Sequence, residues 1–158
     1  MGMRLAVIAL ALIAVTPAIA RADVTAFLGR NSADNDRSFT RGFAFGVSLL
    51  VVGFEFEYAN SSEDQVELRP SLRTTSGNVS VQTFGLPVQL YATIGGGVYR
   101  EQLGNDEETA ALINTGGGIK IPVAGPIRAR IDYRVFNLKG HPRHSTIHRI
   151  YAGLNLAF

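Results

Sequence analysis

The chain has 158 residues, no cysteine, and 15 Lys and Arg against 13 Asp and Glu. Without cysteine there is no disulfide framework of the kind that staples small secreted domains, and no lipidated N-terminal cysteine. Two of the basic residues, Arg4 and Arg21, lie in the first 22 positions, so the rest of the chain carries 13 charges of each sign and no basic excess suited to nucleic acid.

The first element is a leader. Arg4 precedes an unbroken 11-residue apolar run, Leu5 to Val15, which is followed by Pro17 and the small-x-small stretch Ala20-Arg21-Ala22. This order predicts a secretory signal peptide over residues 1–22, with Ala18-Ile19-Ala20 as a competing cleavage site. The run is too short for a spanning helix, which needs about 20 residues. Residues 23–158 then form a single domain.

After the leader the recurring pattern is alternation, which marks strands. A first, weaker segment runs from Val24 to Arg30. The second sets Phe43, Phe45 and Val47 against Gly42, Ala44 and Gly46, and the third, Phe54 to Tyr58, sets aromatics against Glu55 and Glu57. Val79 and Val81 alternate with Asn78, Ser80 and Gln82. Leu90, Ala92, Ile94 and Val98 alternate with Gln89, Tyr91, Thr93 and Tyr99. The sixth segment sets Ala111, Ile113, Ile119 and Ile121 against Asn114 and Lys120. The clearest is the seventh, Ile127-Arg128-Ala129-Arg130-Ile131-Asp132-Tyr133-Arg134-Val135, with every charge on one face. The eighth sets Ala152, Leu154, Leu156 and Phe158 against Tyr151, Gly153 and Asn155.

Short turns are expected near Leu49 to Val52, Gly85 to Pro87 and Pro122 to Pro126. Longer polar links are expected at Asn31 to Ser38, Ser61 to Pro70, Leu103 to Glu108 and Lys139 to Ser145. Eight strands with short and long connections in alternation predict an all-β fold, an eight-stranded antiparallel up-and-down transmembrane β-barrel. A soluble ligand-binding barrel alternates in the same way. Apolar-out packing is favoured because Phe43, Phe45, Phe54, Phe56, Tyr58 and Tyr133 share the apolar face, while glycines and charges share the other.

The last strand, Tyr151-Ala152-Gly153-Leu154-Asn155-Leu156-Ala157-Phe158, resembles the terminal recognition strand of bacterial outer-membrane proteins, with Tyr151, Gly153, Leu156 and Phe158 at the characteristic places. Together with Gly-Phe-Glu-Phe-Glu-Tyr at 53–58, Ile-Gly-Gly-Gly-Val-Tyr at 94–99 and Gly-Gly-Gly-Ile-Lys at 116–120, it makes the domain similar to the small bacterial outer-membrane β-barrel family that includes the OmpA transmembrane domain and OmpX. The resemblance implies a Gram-negative outer membrane, surrounding lipid and lipopolysaccharide, handling by the barrel assembly machinery through the C-terminal strand, and a monomer. It leaves function open, because members are anchors, adhesins, narrow pores and, in a few cases, enzymes.

The expected site is a lumenal charge network of Glu55, Glu57, Lys120, Arg128, Arg130, Asp132 and Arg134. Strands three and seven stand opposite each other in an eight-stranded barrel, at similar depth. In a narrow core such groups must pair, which predicts a plug of salt bridges. A gate whose pairs exchange partners is the alternative, and resembles the lumenal Glu-Arg-Lys arrangement of the OmpA domain. The glycine triplets lack the Gly-Lys-Ser/Thr of a phosphate loop. They are expected to face each other, with Gly96 opposite Gly117.

His141, His144 and His148 read as a polar external loop rather than a metal site, and Asn105 to Glu108 as a solvated loop tip. Some eight-stranded barrels are lipid A deacylases with His and Ser on the outer surface, but no His-x-Ser pair stands on strand seven. No catalytic residue and no cofactor is expected. The sequence predicts a structural or surface-interaction protein of the envelope, with a narrow gated pore and a lipid A-modifying enzyme as alternatives.

Overall fold

In the computed structural model the described residues are 20–62 and 69–158, and among them the chain folds into eight strands and no helix. The leader expected over 1–22 lies, up to residue 19, outside the described residues. The strands are β1 (Ala20–Ala33), β2 (Asp36–Leu49), β3 (Val52–Ser61), β4 (Ser71–Gln82), β5 (Gln89–Leu103), β6 (Asp106–Ala124), β7 (Ile127–Leu138) and β8 (Thr146–Ala157). Each pairs antiparallel with its neighbours in sequence, and β1 pairs with β8 to close the barrel. At the seam, Ala22 and Phe158 exchange backbone hydrogen bonds of 2.9 Å.

Alternation decides what faces where, and the apolar side faces outward. Phe43, Phe45, Phe54, Phe56, Leu90, Ile94, Val98, Ile131, Tyr133, Leu154 and Leu156 are all exposed. The lumen holds Thr25, Glu57, Asn78, Asn114, Lys120, Arg130, Asp132, Arg134 and Arg149. A globular protein in water has the reverse pattern, so a contiguous apolar exterior of this extent marks a lipid-facing wall.

Two of the expected long links are tight hairpin tips. β1 and β2 meet at Asp34 and Asn35, and β5 and β6 at Gly104 and Asn105, with Asp34 and Gly104 at positive φ. Asp-Asn and Gly-Asn tolerate that backbone, so each hairpin turns in two residues and most of Asn31–Ser38 and Leu103–Glu108 joins the strands. The connection around Gly85 to Pro87 is the longer 83–88 link. At the far end the described link is 139–145.

The tip at Gly104 also corrects the register of the glycine runs. Leu103 pairs with Asp106, so Gly96 stands opposite Ile113 and Gly117 opposite Ala92. Gly96 instead faces Gly77 of β4. The second run makes room within the lumen: a Cβ on Gly118 would lie 2.4 Å from the Tyr91 hydroxyl.

Candidate functional site

The lumen is filled at two levels. Toward the 50–51 and 125–126 turns and through mid-barrel runs a ladder of ion pairs, and toward the 34–35 and 104–105 tips and the 139–145 link lies an apolar cluster.

The ladder follows from strand parity. β7 presents Arg130, Asp132 and Arg134 inward in succession, and β3 presents Glu55 and Glu57 from across the barrel. Arg130 Nη2 donates to Glu55 Oε1 at 3.2 Å and to Asp132 Oδ2 at 3.1 Å. Arg134 donates to Glu55 at 2.6 Å and to Asp132 Oδ1 at 2.9 Å. Its Nη1 stands 3.1 Å from Glu57 Oε2, close enough for charge pairing though not aligned as a hydrogen bond. Tyr91 accepts from Arg130 Nε at 2.7 Å and donates to Asp132, and its ring lies under the Arg130 guanidinium at 4.8 Å.

Two ladder members escaped the sequence reading. Arg149 of β8 donates to Glu57 at 3.0 Å, to Asn31 at 2.8 Å and to Thr74 at 3.0 Å. Asp23 of β1 accepts from Lys120 Nζ at 2.6 Å. The signal was present: Arg149 shares parity with Tyr151, Gly153 and Asn155, and Asp23 with Thr25. Arg128 stands apart from the ladder, near the 125–126 turn, and donates to Gln89 at 3.1 Å. The expected set of four cations and three carboxylates is therefore rebalanced. Among the described residues the ladder holds Lys120, Arg130, Arg134 and Arg149 against Asp23, Glu55, Glu57 and Asp132, and it is formally neutral. Burial without net charge is what a low-dielectric core requires.

Above the ladder the inward residues turn apolar. Ala33, Leu72, Tyr99, Leu112, Phe136, Leu138 and Ile147 form one buried cluster. Phe136 joins the two levels, with the Arg149 guanidinium 4.3 Å from its ring centre. The alternation of β7 continues past Val135, so the strand carries charges at one depth and Phe136 and Leu138 at the next.

Link 139–145 is fastened over this end. His141 N–H donates to Glu108 at 3.0 Å, Arg143 N–H to Glu101 at 3.1 Å, and Tyr99 O–H to the Lys139 carbonyl. His144 lies between Asp36, at 2.9 Å, and Asp34, at 3.3 Å. His148 belongs to β8 instead and points outward, its Nδ1 2.6 Å from the Tyr133 hydroxyl. In the C-terminal strand Tyr151 stacks on Phe27 at 4.0 Å inside the lumen, Gly153 leaves room beside Phe27, and Leu156 and Phe158 face outward.

By sequence the chain matches no family model and no curated protein. In three dimensions it matches Neisserial surface protein A (NspA) with a TM-score of 0.70 at 14% identity, covering 88% of this chain and 97% of that one. The fold is that of the small eight-stranded outer-membrane β-barrels. The N-terminal β-barrel domain of Pseudomonas aeruginosa OprF superposes on this barrel with a TM-score of 0.61 at 16% identity, over 86% of this chain and 97% of that one. The outer membrane enzyme PagL has the same barrel, with a TM-score of 0.52 at 12% identity over 85% and 98%. Against such a barrel, the two filled levels of the lumen are the feature from which function is to be read.

Proposed function

We propose that this protein is a bacterial outer-membrane barrel with a closed lumen, serving a structural or surface-interaction role in the envelope. The apolar exterior supports the location. Turns 50–51, 83–88 and 125–126 then face the periplasm, and the 34–35 and 104–105 tips and the 139–145 link face outward. Lipid and lipopolysaccharide surround the wall, and the barrel assembly machinery engages the chain through β8, with Tyr151, Gly153, Leu156 and Phe158. A monomer accords with the closed sheet, which leaves no strand edge for pairing with a second copy.

The observation that carries this reading is the double plug. Opening a path requires breaking a neutral eight-group ladder and also wetting an apolar constriction, and each is a barrier to ions by itself. Solute uptake by proteoliposomes tests it. The closed-lumen reading expects swelling rates equal to those of empty vesicles, and size-dependent uptake of small sugars would overturn it.

The enzyme alternative rests on one outer-surface feature besides the PagL-like fold. Ser32 is the register partner of His148, whose ring is held by Tyr133. A phenol here occupies the place at which a nucleophile-activating site needs a carboxylate. Mass analysis of lipid A from cells with and without the protein separates the readings. Unchanged lipid A is expected, and loss of an acyl chain that depends on Ser32 would favour the enzyme.

A further inference from the structure

The outward face is not uniformly apolar. Arg41 of β2 pairs in register with Asn60 of β3, Asn60 with Arg73 of β4, and Arg73 with Arg100 of β5. The row runs straight across four strands on the outer wall, and its three arginines are exposed. Directly opposite residues on adjacent strands have Cβ atoms about 4.5–5.5 Å apart, and like charges placed so are destabilising. Arg73 and Arg100 are such a pair. Arg100 has Glu107 at 3.3 Å, whereas among the described residues neither Arg41 nor Arg73 has a carboxylate partner.

The row also sits at a boundary. One step toward the turns, the same strands carry Phe43, Tyr58, Thr75 and Val98, with the Phe43 and Tyr58 rings 5.5 Å apart. Aromatic rings of this kind mark the edge of a hydrocarbon layer. Strands of such a barrel tilt by about 35–45°, so the row slants through the outer edge of the apolar band, with Arg100 nearer the link end and Arg41 deeper, beside the aromatic pair. Beside them an open apolar groove runs down the wall, lined by Ala26, Leu28, Phe43, Tyr58, Ala152 and Leu154, with Arg41 and Asn60 at its upper rim.

We infer that this row and groove form a binding site for a phosphorylated, acylated glycolipid of the outer leaflet, with the chemistry of lipid A. A phosphomonoester carries about −1.5 to −2 charges at neutral pH. Arginine binds it bidentately, which turns the repulsion between Arg73 and Arg100 into shared attraction. The groove accepts an acyl chain below the phosphate. A free phosphate would use the row alone, and a phosphodiester lipid such as phosphatidylglycerol would bring a single negative charge. The inference rests on the reading of the apolar exterior as a lipid-facing wall.

Native mass spectrometry of the folded full chain in detergent tests it, with titration of bisphosphorylated lipid A, its dephosphorylated form, phosphatidylglycerol and inorganic phosphate. Lipid A is expected to bind at least about tenfold more tightly than each of the other three, a difference of about 1.4 kcal/mol. The triple variant R41Q/R73Q/R100Q is expected to lose at least that factor, while R128Q, near the periplasmic turns, keeps wild-type affinity. Equal binding of dephosphorylated lipid A or phosphatidylglycerol, or an undiminished triple variant, would overturn the inference. Insertion into phosphatidylcholine vesicles, read by heat-dependent gel mobility, is scored separately. A wild-type chain that fails to insert refutes the membrane reading, while normal insertion without selective lipid A binding refutes the site alone. If the triple variant does not fold, R73Q alone carries the test, with the same direction of effect.

Discussion

At the residue scale the ladder hinges on Arg134, which meets Asp132, Glu55 and Glu57. Removing one partner of a buried pair leaves uncompensated charge and costs about 3–5 kcal/mol. R134M is expected to lose that much in urea unfolding from lipid vesicles. At the Glu57–Arg149 pair, E57L/R149M is expected to be more stable than either single variant, because the double change keeps the ladder neutral and Arg134, which loses Glu57, retains Asp132 and Glu55; a double variant equal to the sum of the singles would contradict the coupling. The inward positions of Glu55, Glu57, Lys120, Arg130, Asp132 and Arg134 were legible in the sequence, because parity alone sets the face. Arg149 was less so, because upstream of Tyr151 apolar residues fall on both faces of the eighth strand, Ile147 inward and Ile150 outward. Arg128 shares that parity and still stands apart, because depth along the barrel, not face, selects the partner.

At the scale of elements, what the sequence hid was turn geometry. A strand's face survives an error in loop length, whereas its register does not. A tip placed at residue 106 sets Gly96 against Gly117; the two-residue turn at Gly104 and Asn105 slides β6 and sets it against Ile113. The 139–145 link shows a second kind of hidden information, contacts between distant segments. Its His144 hydrogen-bonds to Asp36, at the β1–β2 tip beyond the apolar belt, and holds the Asp36 carboxyl below its ordinary value near 3.8, with Arg143 adding to the effect. A depressed native pKa means that the folded form holds this proton less well than the unfolded one. The stabilisation is complete above the ordinary value and fades as pH falls through the lower native one. The carboxyl carbon NMR signal of Asp36 in micelles is therefore expected to titrate below the ordinary carboxylate value, with backbone signals of the 139–145 link moving with it. D36N is expected to show the altered positions already at neutral pH, and unchanged loop signals in D36N would refute the fastening.

At the scale of the whole molecule, an eight-stranded barrel leaves an interior just wide enough for side chains to fill. Here closure comes from side chains at two depths, so the plug belongs to the wall itself. The eight strands and their closed order were legible in the alternation, and so was the outward direction of the aromatics. The apolar level was not, because Leu72, Leu112, Phe136 and Leu138 read singly as ordinary strand residues, and only the pairing of all eight strands stacks them at one height. Closure without a free edge also predicts that the unboiled protein resists dodecyl sulfate and changes gel mobility on boiling, and R134M is expected to lose the shifted form at a lower temperature. The central claim, a barrel closed at both levels, is tested most directly by single-channel recording in planar bilayers. The wild-type protein, shown by its gel mobility to be inserted, is expected to give no conductance steps, and a variant with both levels cut back (L72A/F136A with R134A/E57A) is expected to give them. Stepwise conductance from the wild-type protein would contradict the account.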